Sequence, residues 1–271
     1  MLIEIGYVVL WGATIGYLLH GRSGQRWLGQ LASITTLIST CILIAGLVQR
    51  GVQAGHWPLS NRYEVALCIG SLILVIYLLI EVGWHERRAG ALVLLFSLLS
   101  FTFAFTRPQS ERLITPLLPA LRSIWLQLHV LTTLIGYAAF GVAAGIALTR
   151  LLQTVPLEGE ERVWLPSGVN SEAMMERVVA LGFPWLSLGI LTGAIWAQNA
   201  WGRYWGWDPK ETWTLITWLW YLLILHVRTL RNWRGPRLAA LIVAGCFVVI
   251  FTYIGVPWLV RTVRLESLHG F

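Results

Sequence analysis

Aspartate and lysine are almost missing from this chain. Asp208 is its one aspartate and Lys210 its one lysine, although 12 glutamates and 19 arginines carry the rest of the charge. Charged residues of all kinds make up only 12% of the 271 positions, against 56% hydrophobic, and mean hydropathy is +0.67. A chain so short of charge lacks the polar surface of a soluble domain. Cysteine is scarce as well. Cys41, Cys68 and Cys246 lie in apolar runs with no Cys-x-x-Cys pair, which argues against a disulfide framework, a zinc site and thiol redox chemistry and leaves buried, inert thiols. The net charge of +7 suits loops facing anionic lipid and gives no reason to invoke nucleic acid. Glu4 precedes the first apolar run and no basic head leads it, so no cleavable signal peptide is expected.

What the chain has in place of charge is long oily runs. A bilayer core about 30 Å thick needs roughly 20 apolar residues per helix, and only helices or closed barrels satisfy their backbone there. Eight runs meet that need, near 3–20, 32–50, 62–82, 90–106, 124–152, 178–198, 212–230 and 238–260. The expected fold is all-α. It is a polytopic membrane protein of about eight transmembrane helices, one integral-membrane unit over 1–271 with an external tryptophan-rich loop at about 199–211. The remaining length fits short loops and one modest cytoplasmic insertion. Arginine counts on the two sides differ little, but the tightest loop carries Arg228, Arg231, Arg234 and Arg237 with no acid and should stay cytoplasmic. Both termini and the tryptophan-rich loop then lie outside.

That loop reads Trp-Gly-Arg-Tyr-Trp-Gly-Trp-Asp-Pro-Lys-Glu over residues 201–211, and seven of the 16 tryptophans fall between Trp196 and Trp220. Tryptophan and tyrosine gather at any membrane–water boundary, and Asp-Pro marks a turn, so an aromatic belt accounts for the rings. It does not account for the sole Asp and the sole Lys falling in the same window.

Span parity sorts the histidines. His129, at the outer start of span five, and His269, after span eight, share a compartment with the loop; so does His56, which reads as solvated. His20 and His85 read as solvated on the cytoplasmic side. His226 stands inside span seven, about 21 Å below the loop at 1.5 Å per residue. There an imidazole costs free energy unless it serves as a ligand or relay. Glu64 is either an interfacial partner of Arg62 or a functional group facing the bundle, and Glu81 reads as snorkelling. The run Glu158, Glu160, Glu161 reads as a solvated loop face.

Flat aromatic walls, cations and two imidazoles on one side of a membrane suit a metalloporphyrin. Its faces would stack on Trp201, Trp205 and Trp207, its propionates would meet Lys210 and Arg203, and its iron would take axial nitrogen from His129 and His269. Asp208 and Glu211 would orient the lysine and the loop backbone.

The pattern Trp201, Gly202, Trp205, Trp207, Asp208, Lys210, Glu211 resembles the tryptophan-rich (WWD) signature of the haem-handling proteins of cytochrome c assembly. The chain is most similar to the CcsA (ResC-type) family of System II. Further likeness lies in Trp125-x-x-x-His129, in Trp218 through Tyr221 to His226, in Phe251-Thr252-Tyr253-x-Gly255-Val256 before His269, and in Asn61 to Glu64, where Arg62 stands in place of the usual Leu. The resemblance implies that haem b is substrate and bound ligand. It would meet His226 from the cytoplasmic side, and then His129 and His269 in the outer site formed with Trp201, Gly202, Arg203, Trp205, Trp207, Asp208, Lys210 and Glu211. There it would be presented, reduced, to the Cys-x-x-Cys-His of an apocytochrome c. The implied activity is that of a component of holocytochrome c synthase (cytochrome c haem lyase) acting with a CcsB (ResB-type) subunit, which supplies the other transmembrane histidine, and with thiol-reducing proteins of the same pathway. No side chain is assigned an acid–base role. The implied location is a bacterial plasma membrane or a thylakoid membrane.

Three other readings compete. A CcmC-type protein delivers haem to a chaperone with the same motif, but the eight spans and His226 favour the CcsA-type reading. A transmembrane cytochrome b carrying electrons needs facing histidines at membrane depth, and this chain has one deep histidine. A transporter or structural subunit would use the aromatics as a belt only.

Overall fold

A computed structural model of the chain describes residues 1–84, 86–117, 119–152 and 170–263. All regular structure among them is helical. Helices α1 (Leu2–Ser23) and α2 (Arg26–Ala54) form one antiparallel pair, and α3 (Arg62–Trp84) and α4 (Gly90–Thr106) a second. A single turn, α5 (Gln109–Arg112), and a 3-10 turn at Pro119–Arg122 lead into α6 (Ile124–Leu152). Then come α7 (Asn170–Trp201), α8 (Pro209–Leu230) and α9 (Gly235–Ile250), which runs through a π turn at Phe251–Gly255 into α10 (Val256–Val263).

Seven of these helices are long and apolar enough to cross a membrane, counting α9 through α10 as one, and α4 adds a shorter apolar helix of 17 residues, about 25 Å at 1.5 Å per residue. The chain is a multi-pass membrane protein of the expected all-α class. The largest boundary difference is in α7, which begins at Asn170 and not near residue 178. Its extra turns are amphipathic: Met174, Met175, Val178 and Val179 are buried, Glu176 pairs with Arg228 at 2.5 Å, and Arg177 lies over the Trp84 ring at 4.8 Å. A hydropathy criterion discards such a segment because its charges interrupt the oily run. The acidic run at 158–161 and His85 lie outside the described residues.

Helix α6 is the central column, with 78% of its most apolar stretch buried against 28% for α1. Its sequence explains this. Lipid tails are as apolar as leucine, so membrane helices associate through close packing, and small residues allow the closest approach. A Cβ at Gly136 would sit 3.1 Å from the Gly182 carbonyl oxygen of α7, and one at Gly145 only 2.7 Å from the Cα of Val93 in α4. Phe140 of α6 stacks on Tyr221 of α8, with ring centroids 3.4 Å apart and planes 7° from parallel.

Polar groups tie off the two ends of the bundle. At one end Glu64, 1% exposed, receives Arg50 Nε at 2.7 Å and the Ser60 backbone and hydroxyl at 2.9 and 2.6 Å. Its partner is therefore Arg50, not Arg62. At the other end Glu81 does not snorkel. It is 4% exposed and accepts from the Tyr17 and Ser33 hydroxyls and from Arg87 Nε at 3.0 Å, a network that crosses α1, α2 and α3. A buried carboxylate needs such partners to stay in place. His20 and His56 each use Nδ1 on a backbone carbonyl at 2.9 Å, and His56 Nε2 is buried.

Candidate functional site

Between the ends of α3, α6, α7, α8 and the π turn lies an open cavity. Its larger lobe encloses about 1080 Å³ of space, mouth included, and a smaller lobe about 460 Å³. His129, Trp196, Lys210 and Thr214 line both lobes. Arg62, Tyr137 and Tyr253 wall the larger, and Tyr204 and Trp205 the smaller.

His129 is held from α7. Its Nδ1 meets the Gly189 carbonyl oxygen at 2.7 Å, which makes Nδ1 a protonated nitrogen and, in the neutral ring, leaves the lone pair on Nε2. A neutral imidazole with that tautomer is a metal-ligating group. Space for the ring comes from Gly193, where a Cβ would lie 2.5 Å from His129 Nδ1.

The loop after α7 turns sharply at both ends. Gly202 has φ 75°, and Trp207 has φ 56°, a left-handed conformation that strains a bulky side chain and is kept where surrounding structure enforces it. Enforcement comes from the start of α8. Asp208 is the N-cap, its carboxylate accepting the Lys210 backbone N–H at 2.9 Å, and Pro209 opens the first turn. Glu211 reaches back to the backbone N–H of Asp208 at 3.1 Å and of Gly206 at 2.8 Å. This is a capping box, and it satisfies donors a helix start otherwise leaves bare. Asp208 and Glu211 thus organise the loop backbone. The spacing of acid, Pro and Glu signalled that cap in the sequence.

With Asp208 and Glu211 committed to the cap, Lys210 lines both lobes of the cavity. The other predicted residues divide. Trp205 lines the smaller lobe and meets Trp207 edge-on at 5.8 Å, while Trp207 is 69% exposed. Trp201 packs edge-on against Trp196 at 4.7 Å, so the wall of the cavity is Trp196, with Trp201 behind it. Arg203 is exposed and folds over Gly206, where a Cβ would sit 2.7 Å from its guanidinium carbon. It does not line the cavity. His226 lies far down α8 on an exposed face with Leu219, Leu223 and Leu230. His269 lies outside the described residues.

Sequence reasoning missed Trp196, Arg62 and Tyr253. Trp196 carried a signal, since it opens the tryptophan cluster that runs to Trp220. Tyr253 did not, because a π turn shifts the register of the helix it interrupts. Its hydroxyl donates to the Arg62 backbone carbonyl at 3.1 Å, tying the last span to the first turn of α3.

No group of three His, Cys, Asp or Glu side chains converges as a metal-ion site among the described residues. An iron that arrives inside a porphyrin brings its equatorial ligands with it and asks the protein only for axial nitrogen, ring contacts and cations. His129, Trp196, Trp205 and Lys210 fit that demand.

The family described as Cytochrome C assembly protein matches residues 59–264. The cytochrome c biogenesis protein CcsA of Chlamydomonas reinhardtii is 38% identical over 238 residues, 86% of this chain and 66% of that protein. That of Trieres chinensis is 33% identical over 97% of this chain and 94% of its own length. Among solved structures, the cytochrome c haem lyase CcmF shares the fold at a TM-score of 0.62 and 15% identity, over 93% of this chain and 46% of CcmF. From the match over most of its length, the chain belongs to the cytochrome c assembly protein family.

Proposed function

We propose that the chain is the haem-handling subunit of a cytochrome c synthase, holding haem in the cavity beside His129 and presenting it to an apocytochrome. The observation that carries this reading is the His129 ring, oriented by Gly189, in a cavity that Trp196, Trp205 and Lys210 also line. The tryptophan-rich loop and both termini face outward, and the Arg228 to Arg237 turn faces the cytoplasm. The curated relatives named CcsA support a System II role, with a CcsB-type partner and apocytochrome c as the proteins it meets.

Within this reading His129 and His269 would supply imidazole nitrogen to the haem iron. Trp196 and Trp205 contact the macrocycle and exclude water, and Lys210 meets a propionate. Each apocytochrome thiol then adds across a haem vinyl group: sulfur bonds to one vinyl carbon, the thiol proton ends on the other, and no net electrons move. The haem carries that reactivity, so the protein's contribution is placement. His226 would form half of an earlier site deeper in the membrane. An imidazole on a lipid-facing leucine stripe is costly, which supports a partner helix covering it.

The test is a pyridine haemochrome assay on the chain purified with its CcsB-type partner. Haem at near stoichiometric amounts supports the assignment, and a haem-free complex active in cytochrome maturation rejects it.

A further inference from the structure

Arg62 opens α3 in the sequence Asn61-Arg62-Tyr63-Glu64 and lines the larger lobe of the cavity together with Lys210. A carboxylate stands two residues away, yet Arg62 does not use it. Glu64 is fully engaged by Arg50 and Ser60. Lys210 has Asp208 two residues away, and that carboxylate caps α8. Glu111, the remaining acid near Arg62, is paired with Arg107 at 3.2 Å. Among the described residues neither Arg62 nor Lys210 forms an ion pair. Arg62 and Lys210 thus line one cavity, close enough for the Arg62 charge to act on Lys210.

Like charges are costly to hold together unless something anionic joins them. The arrangement is also built. Tyr253, carried into place by the π turn, anchors the Arg62 backbone, and the capping box anchors Lys210. Arginine offers planar, paired donors that match a carboxylate, and lysine offers a point charge.

We propose that Arg62 and Lys210 together hold the two carboxylates of the tetrapyrrole, with Arg62 in the place that sequence reasoning gave to Arg203. This rests on the haem-handling reading above and adds an orientation to it. In haem b the carboxylates and the vinyl groups occupy opposite edges of the macrocycle. Clamping the carboxylate edge at Arg62 and Lys210 turns the vinyl edge away from α3, so Arg62 is a positioning residue for the attachment step.

The experiment titrates the full chain, purified in neutral detergent, with haemin and with haemin dimethyl ester, which has no free carboxylate. Wild type should bind the free acid about tenfold to a hundredfold more tightly than the ester, the effect of charge-assisted hydrogen bonds. Arg62→Leu should lose most of that preference while its affinity for the ester stays at the wild-type value. Arg62→Lys should retain part of it, and Arg203→Leu all of it. A preference unchanged in Arg62→Leu would overturn the proposal and leave the haem-handling reading intact. The same holds if Arg62→Leu reduces only the retention of phosphatidylglycerol, which would assign the guanidinium to a lipid headgroup. A wild-type chain that binds neither compound overturns both.

Discussion

His129 and Gly193 are in contact across the α6–α7 interface, so closely that a Cβ on the glycine would stand 2.5 Å from the imidazole Nδ1. The ring is therefore located by a missing side chain on one helix and a carbonyl, that of Gly189, on the same helix. Gly193→Ala should displace the ring without touching the cavity wall elsewhere. Removing support behind a metal-ligating histidine costs about 10- to 100-fold in affinity. The expected result is that loss in haem affinity, measured by optical titration, in a protein that still inserts and purifies at wild-type yield.

The capping role of Asp208 separates it from a haem contact. Asparagine caps a helix about as well as aspartate, whereas alanine loses about 1 kcal/mol. Asp208→Asn should keep haem content and cytochrome yield, and Asp208→Ala should lower both together with the melting temperature. Equal loss in the two variants would show that the carboxylate charge itself is needed.

Lys210 should not tolerate arginine. Lys210 lines a cavity that Arg62 also lines, and a planar fork cannot take the place of a point charge there. Holocytochrome formation by Lys210→Arg should fall about tenfold, the effect of one lost charge-assisted hydrogen bond. Pulse-labelled cytochrome yield measures it.

Glu81 should matter for stability alone. Glu81→Ala leaves Tyr17 and Arg87 without their shared acceptor, a change that costs about 3–5 kcal/mol when a buried pair is broken. A thermal melt in detergent should shift clearly downward. The absorption spectrum of bound haem should not shift, since the network sits at the opposite end of the bundle from His129.

A photo-crosslinker at Leu223, on the exposed stripe of α8 beside His226, should capture the CcsB-type partner. The same probe at Ile34 of α2, also exposed, serves as the comparison.

The spans were legible because a bilayer demands about 20 apolar residues in a row and little else satisfies that demand. Gly90 to Thr106 and Ile124 to Leu152 begin and end where the oily runs do. The central motif was legible for a different reason: Asp208 and Lys210 stand out in a chain that otherwise uses glutamate and arginine. What sequence did not reveal was direction. Trp196 and Trp207 look equivalent as letters, yet one walls the cavity and the other is mostly exposed, because the left-handed turn at Trp207 aims its ring away. Arg203 and Arg62 differ in the same way. One folds over Gly206 in the loop, and the other lines the cavity from the start of α3, where the Tyr253 hydroxyl of the π turn meets its backbone carbonyl. Glu81 was misread because its partners Tyr17 and Ser33 come from other helices, which no local pattern announces.

The most direct measurement is the optical spectrum of haem co-purified with the chain and its partner, recorded for wild type and for His129→Ala with and without added imidazole. If His129 is an axial ligand, the variant loses haem or shows an altered Soret band, and imidazole restores the wild-type spectrum. An unaltered spectrum in the variant, with full haem content, would mean that the iron is held elsewhere.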